Sequence, residues 1–353
     1  MRAILLVLLV SLFGPAGAAP FAYVTEDPAY LRVIDTADNS TFARIPVGLG
    51  PVAVSVNRAG TRVYVTNVLD ATVSVVDTAT NSVLATIPVA GAPLGVVASP
   101  DGTRVYVAIT ASADLELPGH SVQAIDAASN AVIANINVGT TPIGLAMSPD
   151  GTRLYVANAD DESLSVIDTS ANYAIATIST GSGPISLAID PSGARLFIVQ
   201  AQPGNAFGSV AVLDTATYGT LAVVPVGEGP LGMALAPDGS RAYVANAGID
   251  IEGHTVSVID TSRYAVIATV QVGLGPRGVG MHPSGIRAYV TNSDSNSMSV
   301  IDTASNRVVA TVTTGPNPLS LGNFVGGPAF SVDRKSTRLN SSHIQKSRMP
   351  SSA

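Results

Sequence analysis

The chain repeats itself, and the period of the repeat restricts its fold more than any other feature. From Pro51 the text reads PVAVSVNRAGTRVYVTN. The pattern returns as PLGVVASPDGTRVYVAI from Pro93, PIGLAMSPDGTRLYVAN from Pro142, PISLAIDPSGARLFIVQ from Pro184, PLGMALAPDGSRAYVAN from Pro230 and PRGVGMHPSGIRAYVTN from Pro276. These prolines stand 42, 49, 42, 46 and 46 residues apart, and another 42 residues lead to Pro318. A unit of this length cannot bury its own apolar surface and must stack on its neighbours.

Each unit reads as four short strands. The first is the apolar stretch after the proline, such as Leu94 to Ala98, followed by the turn Ser99-Pro100-Asp101-Gly102. Proline presets that bend and glycine takes positive φ freely. Strand two, such as Arg104 to Ala108, is rich in Val and Tyr. A second signature follows, for example SVVDTATNSVLATIPVA from Ser74, in which strand three ends at an aspartate and a tight hairpin leads into strand four. The aspartate recurs seven times, as Asp35, Asp77, Asp126, Asp168, Asp214, Asp260 and Asp302. A carboxylate at the start of a tight turn accepts backbone N–H groups two residues on, so these seven read as structural turn residues and not as catalytic ones.

Four-stranded units repeated seven times predict an all-β, seven-bladed β-propeller of antiparallel blades. Val, Ile and Leu on both alternation phases fit strands packed on both faces. Gly95, Gly144, Gly232, Gly278 and Gly280 fall on the innermost strand, where the blades converge. A linear solenoid would need polar capping repeats, and the sequence shows none. The two ends of the repeat instead complement each other. Phe21 to Thr25 matches a second strand without a first, and Pro318 to Val325 matches a first strand without a second. Pairing the N- and C-terminal strands completes the last blade and removes two exposed sheet edges.

The termini lie outside this domain, which spans residues 21–326. Met1-Arg2, the apolar run Ala3 to Phe13 and the small residues Ala16-Gly17-Ala18 read as a secretory signal peptide, residues 1–18. The run is too short to span the hydrocarbon core as a helix, so no transmembrane segment is expected after cleavage. Residues 333–353 (DRKSTRLNSSHIQKSRMPSSA) hold both lysines of the chain and lack apolar periodicity. Their opening resembles the translation of a sequencing-library adapter; a natural disordered basic tail is the other reading. Residues 19–332 hold 24 acids against 12 arginines, a balance of −12. Such a surface repels phosphates, which excludes nucleic acid and anionic lipid as partners. With no cysteine, the chain has no disulfide and no Cys-x-x-Cys-His haem attachment.

The sequences Tyr64-Val65-Thr66-Asn67 and Tyr289-Val290-Thr291-Asn292, with the Tyr-Val-Ala-Asn copies at 155–158 and 243–246 and the VIDT hairpins, resemble the YVTN β-propeller repeat proteins. The resemblance covers about residues 21–326. It departs at Ile109 and Gln200, where the terminal Asn is lost before a lengthened connection. It implies an exported bacterial or archaeal propeller, located in the periplasm, on the cell surface or outside the cell. More distant propeller relatives include lyases, lactonases and a redox-enzyme subunit.

In a propeller the connections between strands two and three and between strands four and one share a face. Three of the former are long: Ile109 to Gly119, Ala201 to Phe207 and Ala247 to Gly253. Long loops on a regular scaffold are where recognition resides. Candidate binding residues there are His120, His254, Asp161 and Asp250. The two histidines, near Asp114, Glu116, Asp250 and Glu252, invite a metal reading, but their blades lie three apart and ligand spacing within one loop is missing. The acids at 160–162 and Asp294 lack the twelve-residue calcium loop. No metal and no cofactor is therefore expected. Arg277 interrupts a ring of aliphatics formed by Val52, Leu94, Ile143, Ile185, Leu231 and Leu319. It suits bidentate binding of a carboxylate or phosphate, or pairing with an acid of a neighbouring loop, which is the favoured expectation. The residues thus point first to a non-enzymatic binding or structural scaffold for protein or glycan partners. A lyase- or lactonase-type enzyme using the channel mouth is the alternative, and an accessory subunit of a periplasmic redox enzyme the weaker one.

Overall fold

A computed structural model describes residues 20–110, 119–201, 207–248 and 253–327. The segments read as a signal peptide and as a foreign tail lie outside these residues. The described chain is all-β, with 28 strands in seven four-stranded antiparallel sheets and no helix long and apolar enough to cross a membrane. The sheets are the blades of a seven-bladed β-propeller, numbered here in chain order.

Blade two shows the common plan. Its strands run Pro51–Val56, Arg62–Asn67, Thr72–Asp77 and Ser82–Pro88, each paired with the next. Two register shifts recur. The inner pair skips between Pro51 and Val54, where the innermost strand bends into the ring, and the outer pair skips at Val75/Val76, just before the hairpin aspartate. The middle strands are buried on both faces because blades stack on one another. Tyr64 and Val75 of blade two share a core with Val96 and Val107 of blade three, and Tyr106 of blade three packs with Leu154 and Val156 of blade four. Outer strands are mostly exposed or half-buried, and Arg307–Thr313 alternates strictly between the two.

The repeated motif earns its letters through hydrogen bonds that cross strands and blades. The Thr66 hydroxyl accepts the Ala53 N–H (3.0 Å) of its own innermost strand and donates to the Leu94 carbonyl (2.9 Å) of the next blade. Thr291 repeats the stitch with the Gly278 N–H (2.9 Å) and the Leu319 carbonyl (2.8 Å). The following asparagine is internal: Asn67 Nδ2 donates to Thr72 and Ser74, Asn158 to Ser163 and Ser165, Asn246 to Thr255 and Ser257, and Asn292 to Ser297 and Ser299, all at 2.9–3.1 Å. These amides are buried, so a methyl group in their place removes two hydrogen bonds that water cannot replace. Asn292→Ala is therefore expected to cost about 2 kcal/mol, read as a lower urea midpoint at an unchanged m-value. A loss below a few tenths of a kcal/mol would show that the amide is not part of the frame.

The innermost strands come close enough to exclude side chains. A Cβ on Gly232 would lie 2.0 Å from the Arg277 carbonyl oxygen of the next blade, and one on Gly95 would lie 2.2 Å from that of Ile143. Glycine at these places is a requirement of close backbone approach.

Blade one is completed from both ends, with one difference from the expected regular strand over 318–325. Only Val325–Gly326 pairs as a strand, with Ala22 and Phe21 of Phe21–Glu26. The preceding residues cross to blade two: Leu321 bridges Ala53 in parallel, and Val54 and Val56 donate to the carbonyls of Leu321 (2.8 Å) and Asn323 (3.0 Å). The bend has a local cause, since Ser320 and Gly322 take φ of 42° and 90°. The Thr25 hydroxyl holds the N–H groups of Leu319 (3.2 Å) and Ser320 (2.9 Å).

Blade one also replaces the buried asparagine. Glu26 stands where blades two, four, six and seven have Asn67, Asn158, Asn246 and Asn292, and Arg32 stands where those four have a serine. The Glu26 carboxylate is fully buried, takes the Gly315 N–H at 2.6 Å, and is paired with Arg32 and with Arg44 (2.9 Å). Gly315 precedes the closing segment, so this ion cluster ties blade seven to blade one. Burial pushes the carboxyl pKa up, but Arg32, the Gly315 N–H and Arg44 outweigh it and hold it below the ordinary value.

Candidate functional site

The seven hairpin aspartates all turn inward on their own backbone. Asp77 Oδ1 accepts the N–H groups of Ala79 (2.9 Å) and Thr80 (2.8 Å), and Asp35, Asp126, Asp168, Asp214, Asp260 and Asp302 accept equivalent N–H groups two or three residues on. The Ser262 hydroxyl and the Arg263 N–H push Asp260 down to about 2. Several of these carboxylates also pair with the arginine opening strand two, as Asp168 does with Arg153 at 2.7 Å. One oxygen of each is committed to the frame.

The two ends of the ring differ in charge. The end bearing the hairpins holds twelve aspartates against nine arginines. At the loop end the described residues hold eight carboxylates, from Glu26 and Asp27 to Asp294, against Arg32, Arg44 and Arg277. Two of those three arginines are committed to Glu26. All three long connections begin and finish at this end, after the strands Arg104–Thr110, Arg195–Gln200 and Arg241–Asn246.

The structure separates the loop-end candidates. His120 and Asp161 come together across blades three and four. Asp161 takes the Thr140 N–H (2.5 Å) and hydroxyl (2.6 Å), and these bonds, with the charge of nearby His120, hold its carboxyl below the usual range. His120 is exposed with φ 98°, and its carbonyl accepts the Val138 N–H at 3.0 Å. His254 lies in blade six, where its carbonyl accepts the Val272 N–H at 2.8 Å. Asp250, like Asp114, Glu116 and Glu252, lies outside the described residues. Among the described residues no group of three or more His, Asp or Glu side chains is placed to hold a metal ion.

Among the described residues Arg277 pairs with no loop acid, where the favoured expectation had such a pair. Its Nε donates to the Ser293 hydroxyl at 2.8 Å, and that hydroxyl faces the Gly275 carbonyl (3.1 Å) and Asp294 (3.0 Å). Position explains the contact: Ser293 directly follows the strand Arg287–Asn292, whose last residue pairs with Pro276, which brings its hydroxyl within reach of Arg277. His282 belongs to the other end of the same strand, where Nδ1 meets the Ser284 hydroxyl at 2.7 Å.

Inside the ring lies a channel cavity of about 290 Å³ to which all seven blades contribute. Its walls are aliphatic and thioether side chains, including Leu145, Leu187, Met233 and Val279, and no lining residue carries an acidic, basic or imidazole group. Ser55, Ser186 and Asn323 are its polar side chains. General acid–base chemistry needs a titratable group within hydrogen-bond reach of the reacting atom, and these walls supply none.

Among solved structures the chain is similar to hydrazine synthase of Kuenenia stuttgartiensis, at 21% identity and a TM-score of 0.72, covering 86% of this chain and 99% of that one. It is also similar to a functionally unknown protein from Desulfotomaculum acetoxidans, at 16% identity and a TM-score of 0.70, covering 86% of this chain and 100% of that one. A third similar structure is dihydro-heme d1 dehydrogenase NirN in complex with DHE, at 15% identity and a TM-score of 0.60, covering 88% of this chain and 74% of that one. At these identities the likeness is one of fold. No protein-family model matches the chain, and no curated protein matches its sequence.

Proposed function

We propose that this chain is an exported, non-enzymatic β-propeller of YVTN type. It acts as a binding or structural scaffold in the cell envelope or outside the cell and presents its loop end to a protein or glycan partner. The observation that supports this reading is the asymmetry between the ends. The loop end carries the unbalanced carboxylates and the long connections, whereas the charges of the hairpin end are largely matched and committed to turns. A partner suited to that end brings positive charge, as a basic protein or an amino-sugar glycan does.

The alternative, a lyase or lactonase at the channel mouth, requires Arg277 to meet at least two further polar side chains in the channel. Among the described residues it meets one hydroxyl, that of Ser293, and it lies outside the cavity lining. One of the similar solved structures is named as a dehydrogenase in complex with DHE, and the reading as an accessory redox subunit rests on that name alone.

The test replaces residues 111–118 and 202–206 by turns as short as that of blade two. Binding of parent and shortened chains to a panel of basic proteins and amino-sugar polymers is then compared. The parent is expected to bind at least about tenfold more tightly than the shortened chain, and to weaken as added salt shortens the screening length. Equal binding by both chains, or none by the parent, overturns the proposal.

A further inference from the structure

The geometry points to the central channel as a binding site for an aliphatic carboxylate of medium chain length, its tail along the apolar walls and its head group at Arg277. Three observations carry it. The first is the cavity, which runs along the innermost strands from the level of Ile143, Ile185 and Leu231 to that of Met147, Ile189 and Met281. Those levels are four residues apart, about 13 Å at the rise of a strand. The volume of about 290 Å³ is about twice that of an apolar cavity that takes benzene, which suggests about ten to twelve carbons. Flexible methionines at Met147, Met233 and Met281 let such walls adapt to a chain.

The second is Arg277 itself. It occupies the ring position at which Ile143, Ile185 and Leu231 line the cavity, so it marks the rim of the loop-end mouth. Ser293 fixes Nε, and neither Nη group has a hydrogen-bond partner among the described residues. A guanidinium held by one neutral bond, with no ion pair among the described residues, is prepared for a carboxylate. Bonds made beside apolar walls are less screened than those in water, so this local contact offsets repulsion by the acidic loop end. The third is the scarcity of polar groups below it. Ser186 and Asn323 make no side-chain hydrogen bond within the described chain, and the Ser55 hydroxyl is taken by the Ala98 N–H at 3.1 Å. Three polar side chains among otherwise aliphatic, glycine and thioether lining residues leave the walls predominantly apolar, which favours an apolar tail.

The test is calorimetric titration of the full chain with sodium hexanoate, octanoate, decanoate and dodecanoate, and with decan-1-ol. Affinity is expected to rise about threefold to fourfold per methylene, then flatten near ten to twelve carbons when the channel is full. Arg277→Gln is expected to weaken decanoate about tenfold or more, as loss of a charged hydrogen-bond pair does, and to leave decan-1-ol within about twofold. Ala234→Phe, on the channel wall, should remove both ligands. Should that variant fail to melt cooperatively, Ser186→Leu makes the same block nearer the mouth. The proposal is overturned by any of four results: no saturable binding, a chain-length series without a plateau, equal loss of acid and alcohol in Arg277→Gln, or unchanged binding in the blocked variants. Because these ligands touch the channel and not the loops, failure here is distinguishable from failure of the loop-end scaffold reading.

Discussion

Truncation after Asn317 is expected to lower the melting temperature by about 10 °C or more, whereas truncation after Gly327 leaves it within about 2 °C. The shorter chain loses the pairing of Val325 and Gly326 with the first strand, and the Tyr23-to-Phe324 backbone bond at 2.8 Å. It also loses the backbone bonds from Leu321 and Asn323 to the innermost strand of blade two. Phe324 is fully buried and belongs to a core that joins Val54 of blade two, Tyr23 of blade one and Tyr289 of blade seven. Phe324→Ala alone should cost about 3–5 kcal/mol, a large part of the net stability of an ordinary domain. Differential scanning calorimetry of the two truncations decides the matter. Equal melting of both would mean that the ring does not depend on this segment.

Replacing Glu26 is expected to have the second largest effect. Glu26→Gln leaves Arg32 and Arg44 without their counter-charge at a buried site, which costs about 3 kcal/mol. The lower end of the usual range applies because Arg44 remains 42% exposed. The pH dependence follows from the depressed carboxyl. Its folded pKa lies below its unfolded one, so the unfolded chain binds the proton first as pH falls. The stabilisation is therefore complete above the ordinary glutamate range and is lost as pH drops through the folded pKa. Urea melts from neutral pH into the acid range should show a shallower acid limb in Glu26→Gln than in the parent. The double variant Glu26→Asn with Arg32→Ser introduces the asparagine–serine pair of blades two, four, six and seven and should recover part of the loss. Parallel acid limbs in parent and Glu26→Gln would show that this carboxyl does not carry the dependence.

The blades and their number were legible because the proline-led unit and the aspartate hairpin recur in register, and each copy repeats the same local chemistry. The closing of the ring was legible for a similar reason: Phe21 to Thr25 lacks a first strand and Pro318 to Val325 lacks a second. The meaning of the motif letters was not. Thr66 is a stitch only because the Leu94 carbonyl arrives beside it from the next blade, and Asn67 is a clamp only because Thr72 and Ser74 sit opposite. Glu26 and Arg32 look like ordinary surface charges in the text. Their exchange for the asparagine–serine pair becomes visible once the strands are set in register.

The candidate site divides in the same way. That Arg277 interrupts an aliphatic ring is a fact of the sequence alone. Its partner is not, because Ser293 reaches it through the antiparallel pairing of Pro276 with Asn292. The neighbourhood of His120 and Asp161 likewise depends on how blade three meets blade four. The sequence by itself determined the repeat, the charge and the residues that break the pattern, since these need only composition and spacing. Only the tertiary structure decided which of those residues meet, because contacts between blades join positions tens or hundreds of residues apart through backbone approach that no local pattern encodes.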